Sequence, residues 1–239
     1  NLQALDAVLA DIEGRVGIAA VYHLGDLVGY SSDPNEVVAR LRERSIAGVA
    51  GNYDSTVATD YKHCGCRSEG PRQEELAHLS YEHTRASVTP ETKRYLAALP
   101  FSLDLRPLGG HLTGPRLVLV HGTTTLNTLY WTEDRSDDFC RKMATGVGLG
   151  SGDVIAFGHT HRPWHRVVDG MHFINTGSVG RPKDGDWRAG YVLLSIGDGE
   201  PQVEFVRIEY DIDATIAGVR AAGLPEDFVE FLRSGGKSD

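Results

Sequence analysis

Residues 154–164, with the sequence VIAFGHTHRPW, decide the fold of this chain. An apolar run stops at Gly158 and is followed by His159 and His161, two positions apart, and then by Pro163. A short apolar run bounded by glycine and proline is typical of a buried strand that ends in a turn. The two imidazoles are either metal ligands at the end of this strand or polar residues of the turn. The pair alone does not decide between them, so the choice depends on the rest of the chain.

The size and charge of the chain limit its classes of partner. A chain of 239 residues can bury a full core. Its formal net charge of −9 argues against broad nucleic-acid binding and against binding to anionic membranes. No apolar run reaches the ~18–20 residues of a membrane span, and no signal peptide opens the chain. Its three cysteines do not suggest a disulfide scaffold and favour a reducing compartment. We therefore expect a cytoplasmic globular protein, and the sequence is compatible with a homo-oligomer.

Predicted strands and helices alternate in the first part of the chain. Apolar spacing predicts a helix over residues 2–12 that ends at Gly14, and Asp33 with Pro34 begins a second helix. Residues 55–75 are polar and irregular, which predicts a long loop. Buried strands that end in polar residues are predicted at residues 18–26, 46–54, 116–122 and 153–161.

The pattern changes after residue 160. Four closely spaced strands separated by Gly-rich turns follow, and the segment 213–233 returns to two short helices. Alternating strands and helices followed by a strand meander are typical of a layered α/β sandwich with mixed sheets. The first helix begins at residue 2 with no strand before it, whereas each later helix of the first half follows one. We therefore expect a further strand ahead of Asn1.

Polar side chains follow four of the predicted strands: Asp26, Asn52, His121, and His159 with His161. Ligands of open α/β sheets bind at the carboxyl ends of the strands. Each residue alone has an ordinary explanation, as a turn residue or as a structural histidine. Together they predict a metal site, because carboxylate, amide oxygen and imidazole suit Mn, Fe, Zn, Co or Ni. One carboxylate can bridge two such ions, and such a pair activates a hydroxide for attack on phosphorus.

Four short motifs, in this order and spacing, resemble the calcineurin-like metallophosphoesterase superfamily, in particular its small bacterial single-domain members. The motifs are GDLVGY at 25–30, GNYD at 51–54, VHG at 120–122 and GHTH at 158–161. The resemblance extends over essentially the whole chain, 1–239, as a single domain, and includes NTGSVGRPKDGD at 175–186. It implies a four-layer αββα sandwich, in which helices flank two mixed sheets.

The same resemblance implies a dinuclear metal-dependent phosphoesterase. Such an enzyme hydrolyses phosphomonoesters or phosphodiesters of small or nucleotide-like substrates by attack of a metal-bound hydroxide. Asp26 would bridge the two divalent ions. Asn52, His121 and His159 would complete the site of the second ion, and His161 would join the first.

The family's first motif, Asp-x-His-Gly-Asn, is represented only by its last residue, Asn1. We therefore expect an N-terminally incomplete domain that holds the second ion adequately, holds the first poorly and has little activity. Two alternatives stay open: a catalytically impaired metal-binding or regulatory domain of the same fold, and a phosphoprotein phosphatase.

Tyr53 and Arg181 are the candidate catalytic residues outside the ligand set. Many relatives have a histidine at the position of Tyr53 as the proton donor to the leaving group. A tyrosine, with a pKa of ~10, is a poorer acid at neutral pH, and a packing role is equally consistent. Arg181 lies on a Gly-rich loop and could bind a phosphate bidentately, or it could form an ion pair with Asp184 or Asp186.

Two further features stay open in the sequence. Asp54 could orient a ligand or form a turn within its own loop. The Cys64-Gly65-Cys66 segment lacks the Cys-x-x-Cys spacing, and a turn is favoured over a metal site.

Overall fold

The computed structural model describes residues 1–66, 70–106, 114–197 and 199–237. In chain order the helices are α1 (Leu2–Glu13), α2 (Pro34–Glu43), α3 (Asn52–Ala58), α4 (Pro71–Ser87), α5 (Pro90–Ala98), α6 (Asp137–Thr145), α7 (Ile212–Ala221) and α8 (Glu226–Ser234). The strands are β1 (Tyr22–His23), β2 (Ala47–Gly48), β3 (Ser102–Leu105), β4 (Leu117–Val120), β5 (Val154–Phe157), β6 (Trp164–Val168), β7 (Met171–Asn175), β8 (Ala189–Ser195) and β9 (Gln202–Ile208). Within the described ranges, no helix combines the length and the apolar character needed to cross a membrane.

A five-stranded mixed sheet with the order β3-β4-β5-β7-β6 forms the centre of the fold. Strands β4, β5 and β7 are parallel, whereas β3 and β6 pair antiparallel at the two edges. The sequence of β5 is the continuous apolar run VIAF, and all four of its residues are buried. Such a run is typical of a parallel strand that is covered on both faces.

Each face of this sheet packs against a different layer. On one face, Ile155 and Phe157 share a buried apolar cluster with Met143 of α6. On the other face, Ala156 shares a cluster with Leu194 of β8. Successive residues of β5 therefore alternate between the two layers, as the two-residue repeat of a strand requires.

Helix α1 covers the outer face of the β8–β9 pair. Ala4 and Val8 of α1 are buried in one cluster with Ala189 of β8, and Tyr191 packs against it. The layers therefore follow in the order α6, central sheet, β8–β9 and α1. This arrangement confirms the predicted four-layer αββα sandwich.

The strand predicted at residues 18–26 is wrong in extent. Only Tyr22–His23 forms a strand, which pairs in parallel with Ala47–Gly48, and residues 17–20 are exposed. The second strand, predicted over 46–54, is equally short. The apolar composition of residues 18–26 predicted a buried strand. The length of a strand, however, depends on the neighbouring strands with which it forms hydrogen bonds. Among the described residues β1 has one partner, β2, and its other side borders a cavity.

The loop predicted at residues 55–75 is also shorter than expected, because α3 continues to Ala58 and α4 begins at Pro71. Strand β3, Ser102–Leu105, was not predicted. The helix at residues 2–12, the four strands after residue 160 and the two helices of 213–233 are confirmed.

Strand β1 and the β8–β9 pair border a cavity of about 1730 Å³. Apolar side chains, among them Leu5, Val21 and Leu194, line the part between these strands. Asp26 and His159 line its polar end. Asp26 and His159, which follow two of the strands, therefore face this cavity. The expected strand ahead of Asn1 stays a prediction.

Candidate metal centre

The loops after four strands bring four of the predicted ligands together. Asp26 follows β1, Asn52 is the first residue of α3, His121 directly follows β4, and His159 lies two residues after β5. The Nε2 atom of His121 lies 3.0 Å from Asn52 Oδ1, 3.1 Å from His159 Nδ1 and 3.2 Å from Asp26 Oδ2. Ligand atoms of Asp26, His121 and His159 all lie within 4.8 Å of one another.

The chemistry of these four atoms fits a divalent cation. The Nδ1–H group of His121 donates to the Leu24 carbonyl at 2.6 Å, which leaves the lone pair of the neutral ring on Nε2. Lone pairs of two oxygens and two nitrogens therefore converge on one point. Two atoms that each lie ~2.1 Å from one ion are ~3.0–3.4 Å apart, which agrees with the spacing found. His121, Asn52 and His159 are buried, so water alone does not balance this concentration of acceptors.

Electrostatics favour an ionised Asp26 and a neutral His159. Burial alone would raise the pKa of Asp26, but interaction with His121 above all holds it well below its usual value. Burial, and then the charge of His121, lowers the pKa of His159 to about 4. Burial opposes protonation of His121 as well, although the carboxylate of Asp26 raises the pKa above its usual value. Asp26 is therefore ionised and His159 neutral at pH 7, as binding of a cation requires.

Three of the five predicted ligands lie in left-handed backbone. The φ angles are 54° at Asp26, 63° at His159 and 61° at His161. This conformation costs a non-glycine residue roughly 1–2 kcal/mol, and it concentrates at functional sites, where the surrounding structure enforces it. The strain supports a functional role for the turns that carry these side chains.

Asp54 forms hydrogen bonds with both the loop that contains Asp26 and the loop that contains Asn52. Its carboxylate accepts backbone N–H groups from Asp26 at 2.8 Å, Leu27 at 2.9 Å and Gly51 at 2.9 Å. The side chain is fully buried. Burial and the neighbouring charge of Asp26 raise the pKa of Asp54 to about 7, although the N–H groups of Gly51 and Leu27 oppose this shift. Asp54 therefore serves both roles considered from the sequence, because it closes its own turn and fixes the backbone of a ligand.

The two ligand loops approach each other closely through Gly25 and Gly51. A Cβ atom at Gly25 would collide with the backbone nitrogen of Gly51, and a Cβ atom at Gly51 would collide with Asp26. Gly25 also has a φ of +83°. Because no side chain fits between the loops, both glycines are needed to hold Asp26 beside Asn52.

We expect Gly25→Ala to destabilise the fold by about 2 kcal/mol more than Gly17→Ala, because only the former adds overpacking. The matched site Gly17 has a φ of +85° and nothing within 4 Å of an added Cβ. Both variants share the cost of a left-handed alanine, roughly 1–2 kcal/mol. Urea denaturation of the two variants measures the difference. Equal losses would show that the loops do not require this close approach.

His161 lies apart from the four-atom cluster but in the same cavity. Its Nδ1–H group donates to the Arg181 carbonyl at 2.7 Å, so Nε2 remains for a ligand. Burial, and then the charges of Lys183 and Arg181, hold the pKa of His161 well below its usual value. A second ion held by Asp26 and His161 stays a prediction.

The loop that contains Cys64 and Cys66 orients Asn52. The Asn52 Nδ2 group donates to the Cys64 carbonyl at 2.8 Å and lies 3.5 Å from Cys66 Sγ, so Oδ1 faces the histidines. Cys64 and Cys66 are joined by a disulfide, which the sequence did not predict. The expected turn is present, but its thiols are not free, and Cys140 is the free cysteine.

The structure favours the packing role of Tyr53 over the role of proton donor. Its hydroxyl group donates to Ser80 Oγ at 3.1 Å, and its ring is buried between Tyr30 and Tyr81. Burial raises the pKa of Tyr53 well above its usual value. A hydroxyl group in this position does not release a proton readily at neutral pH. The direction of the side chain depends on α4, which no local motif could indicate.

Arg181 does not form the ion pair considered from the sequence. Asp184 is paired with Arg207, and Asp186 with Arg188 at 2.7 Å. The guanidinium group lines the cavity instead.

Tyr130 is a residue of the site that the sequence did not single out. Its ring centroid lies 4.3 Å from that of His159. The available signal was its place in an aromatic segment after His121, where Trp131 follows it. Trp131 is fully buried in the core.

Comparison with known proteins agrees with this geometry. Residues 1–199 match the family model described as the calcineurin-like phosphoesterase superfamily domain. The protein MJ0912 of Methanocaldococcus jannaschii is 29% identical over 253 residues, which cover 97% of this chain and 93% of that protein.

Two solved structures have the same fold. A metallophosphoesterase from Sphaerobacter thermophilus is 28% identical, with a TM-score of 0.73 over 98% of this chain and 94% of that one. The protein PH1004 from Pyrococcus horikoshii OT3 is 22% identical, with a TM-score of 0.79 over 99% of this chain and 94% of that one. Because the family model spans most of the sequence and includes all five predicted ligands, the chain belongs to the calcineurin-like phosphoesterase superfamily.

Proposed function

We propose that this protein is a divalent-metal-dependent phosphoesterase that hydrolyses phosphomonoesters or phosphodiesters of small or nucleotide-like substrates. The observation that carries the proposal is the convergence of Asp26, Asn52, His121 and His159 on one point in the lining of a large cavity.

Each residue of the proposed site has a distinct role in binding the ions or the phosphoryl group. Asn52, His121 and His159 would hold one ion, His161 would contribute to a second, and Asp26 would lie between the two. Divalent ions such as Mn, Fe, Zn, Ni or Co lower the pKa of bound water and neutralise charge on phosphoryl oxygens. Arg181 offers a permanent positive charge to the phosphoryl group within the same cavity.

The place of Tyr53 in the core has a consequence for the substrate. Its hydroxyl group is bonded to Ser80, which favours a packing role over proton donation to the leaving group. We therefore propose that the enzyme favours esters whose leaving groups need no proton, such as p-nitrophenolate.

Hydrolysis of p-nitrophenyl phosphate and of bis-p-nitrophenyl phosphate tests the proposed activity. The two rates should be measured with the purified protein and Mn, Ni, Co, Zn or Mg, and after metal removal with EDTA. We expect hydrolysis of at least one ester with Mn or another borderline ion, weaker hydrolysis with Mg, and none after metal removal. Hydrolysis that persists at the same rate in EDTA would contradict the proposal of a metal-dependent reaction.

A metal-binding domain with impaired turnover is the second candidate. The packing role of Tyr53 favours it, because no proton donor is found at that position. Stoichiometric binding of Mn by calorimetry, together with no hydrolysis of either ester, would identify this function instead.

A further inference from the structure

The guanidinium group of Arg181 is stacked between two aromatic rings. Its Cζ atom lies 3.8 Å from the ring centroid of Tyr30 and 3.8 Å from that of Phe231. The backbone beneath it is also fixed, because its N–H group donates to Ser178 Oγ at 3.0 Å and its carbonyl accepts from His161 at 2.7 Å. The charge is therefore held in one place beside a predicted metal ligand.

No carboxylate balances this charge. Within the part of the chain that the structure describes, none lies within ion-pair distance of Arg181, and the nearest acidic residues in sequence are paired with other arginines. Burial lowers the pKa of Arg181, yet a guanidinium group stays charged at neutral pH. A partly buried positive charge without a carboxylate partner carries a desolvation cost that a bound anion would offset.

The two aromatic residues come from distant parts of the chain. Tyr30 follows the Asp26 loop, has a φ of 57°, and donates its N–H group to Ser80 Oγ at 2.8 Å. Its ring also packs edge-on against Phe228 of α8, at 5.7 Å between centroids. Phe231 belongs to α8, beyond the residues 1–199 that match the family model. The C-terminal helix therefore contributes to the substrate cavity.

A guanidinium group with both faces covered by aromatic rings can bind a ligand only through the N–H groups along its edge. The N–H groups along that edge fit two oxygens of one oxyanion. A phosphomonoester has three strong acceptor oxygens and a charge of about −1.5 to −2 at pH 7. A diester has lost one of these oxygens to its second substituent and carries a single charge. Because a diester keeps two non-bridging oxygens that the edge can still contact, the arginine discriminates between the two classes by charge.

We propose that Arg181, held between Tyr30 and Phe231, binds a non-bridging oxygen of a phosphomonoester dianion and makes the site selective for phosphomonoesters over phosphodiesters. The inference rests on the proposed phosphoesterase function. It assigns Tyr30 and Phe231 as positioning residues, which act by holding the arginine.

The ratio of kcat/KM for p-nitrophenyl phosphate to that for bis-p-nitrophenyl phosphate tests the inference. We expect the manganese-loaded wild type to prefer the monoester, and Arg181→Gln to lower the ratio by about 10- to 100-fold, mainly through a higher KM for the monoester. Phe231→Leu should lower the ratio by about threefold to tenfold, because one face of the cation is uncovered. Val229→Ala, a buried change on the same helix, should reduce stability without moving the ratio.

Binding of inorganic phosphate and of dimethyl phosphate, measured by calorimetry on the manganese-loaded protein, separates this inference from the proposed activity. Arg181→Gln should weaken phosphate binding at least tenfold and leave dimethyl phosphate binding within about twofold. That result supports the inference even if neither ester is hydrolysed, in which case only the proposed activity fails. Equal losses for both anions, equal losses of kcat/KM for both esters, or a wild type that prefers the diester would overturn it.

Discussion

Asp26→Asn should lower phosphoesterase activity by about three orders of magnitude and leave the fold intact. The substitution keeps the size of the side chain, and asparagine tolerates the φ of 54° at this position. The retained Oδ1 atom can still accept the Tyr53 N–H group, at 3.0 Å in the native protein. In the proposed site this charge would hold the cations, and a loss of several kcal/mol corresponds to this factor because each ~1.36 kcal/mol is tenfold.

Two measurements check this expectation. Hydrolysis of p-nitrophenyl phosphate at saturating Mn gives the rate, and calorimetry gives the affinity for Mn in the absence of substrate. Asp33→Asn is the matched control, because Asp33 is bonded to Ser32 and lies outside the ligand cluster. Near-wild-type rates in Asp26→Asn would remove the proposal that this carboxylate lies between two ions.

Asp54→Ala should destabilise the protein by at least about 3 kcal/mol, because three backbone N–H groups, one buried and two partly buried, lose their acceptor at a cost of roughly 1–3 kcal/mol each. These are the N–H groups of Asp26, Leu27 and Gly51. The loss should also impair metal binding, since the same bonds fix the Asp26 backbone relative to the Asn52 loop.

Chemical denaturation of three variants tests the role of Asp54. Asp54→Asn keeps one acceptor oxygen and should lie between the wild type and Asp54→Ala. Asp138→Ala removes a carboxylate that is 90% exposed and should cost within about 1 kcal/mol, as exposed ion pairs do. If Asp54→Ala were no more destabilising than Asp138→Ala, the backbone bonds of Asp54 would not hold the loops together.

The ligands could be predicted from sequence because the rule behind them is topological. Strands β4, β5 and β7 are parallel neighbours, so residues that follow β4 and β5 meet at one edge of the sheet. Neither the distances nor the ring orientations were needed to group His121 with His159. The order of the layers could be predicted for a similar reason, since strand–helix alternation and a strand meander leave few arrangements.

Features that depend on distant contacts could not be predicted. The direction of the Tyr53 hydroxyl group is set by Ser80, 27 residues away. The rings beside Arg181 belong to Tyr30 and to Phe231 of α8, which no local pattern connects. The extent of β1 depends on which strands border it, and apolar composition does not report that.

The left-handed turns at Asp26, His159 and His161 also restrict how this site can evolve. Glycine, asparagine, aspartate and histidine enter this conformation most readily, and β-branched or bulky apolar residues enter it least. Selection for a foldable turn therefore retains the same residue types that selection for metal binding retains. A descendant that no longer held an ion would keep a motif much like GHTH for conformational reasons alone. His121 directly follows a strand and is not among the left-handed residues. In such a lineage, we therefore expect His121 to be substituted earlier than the residues of the GHTH motif.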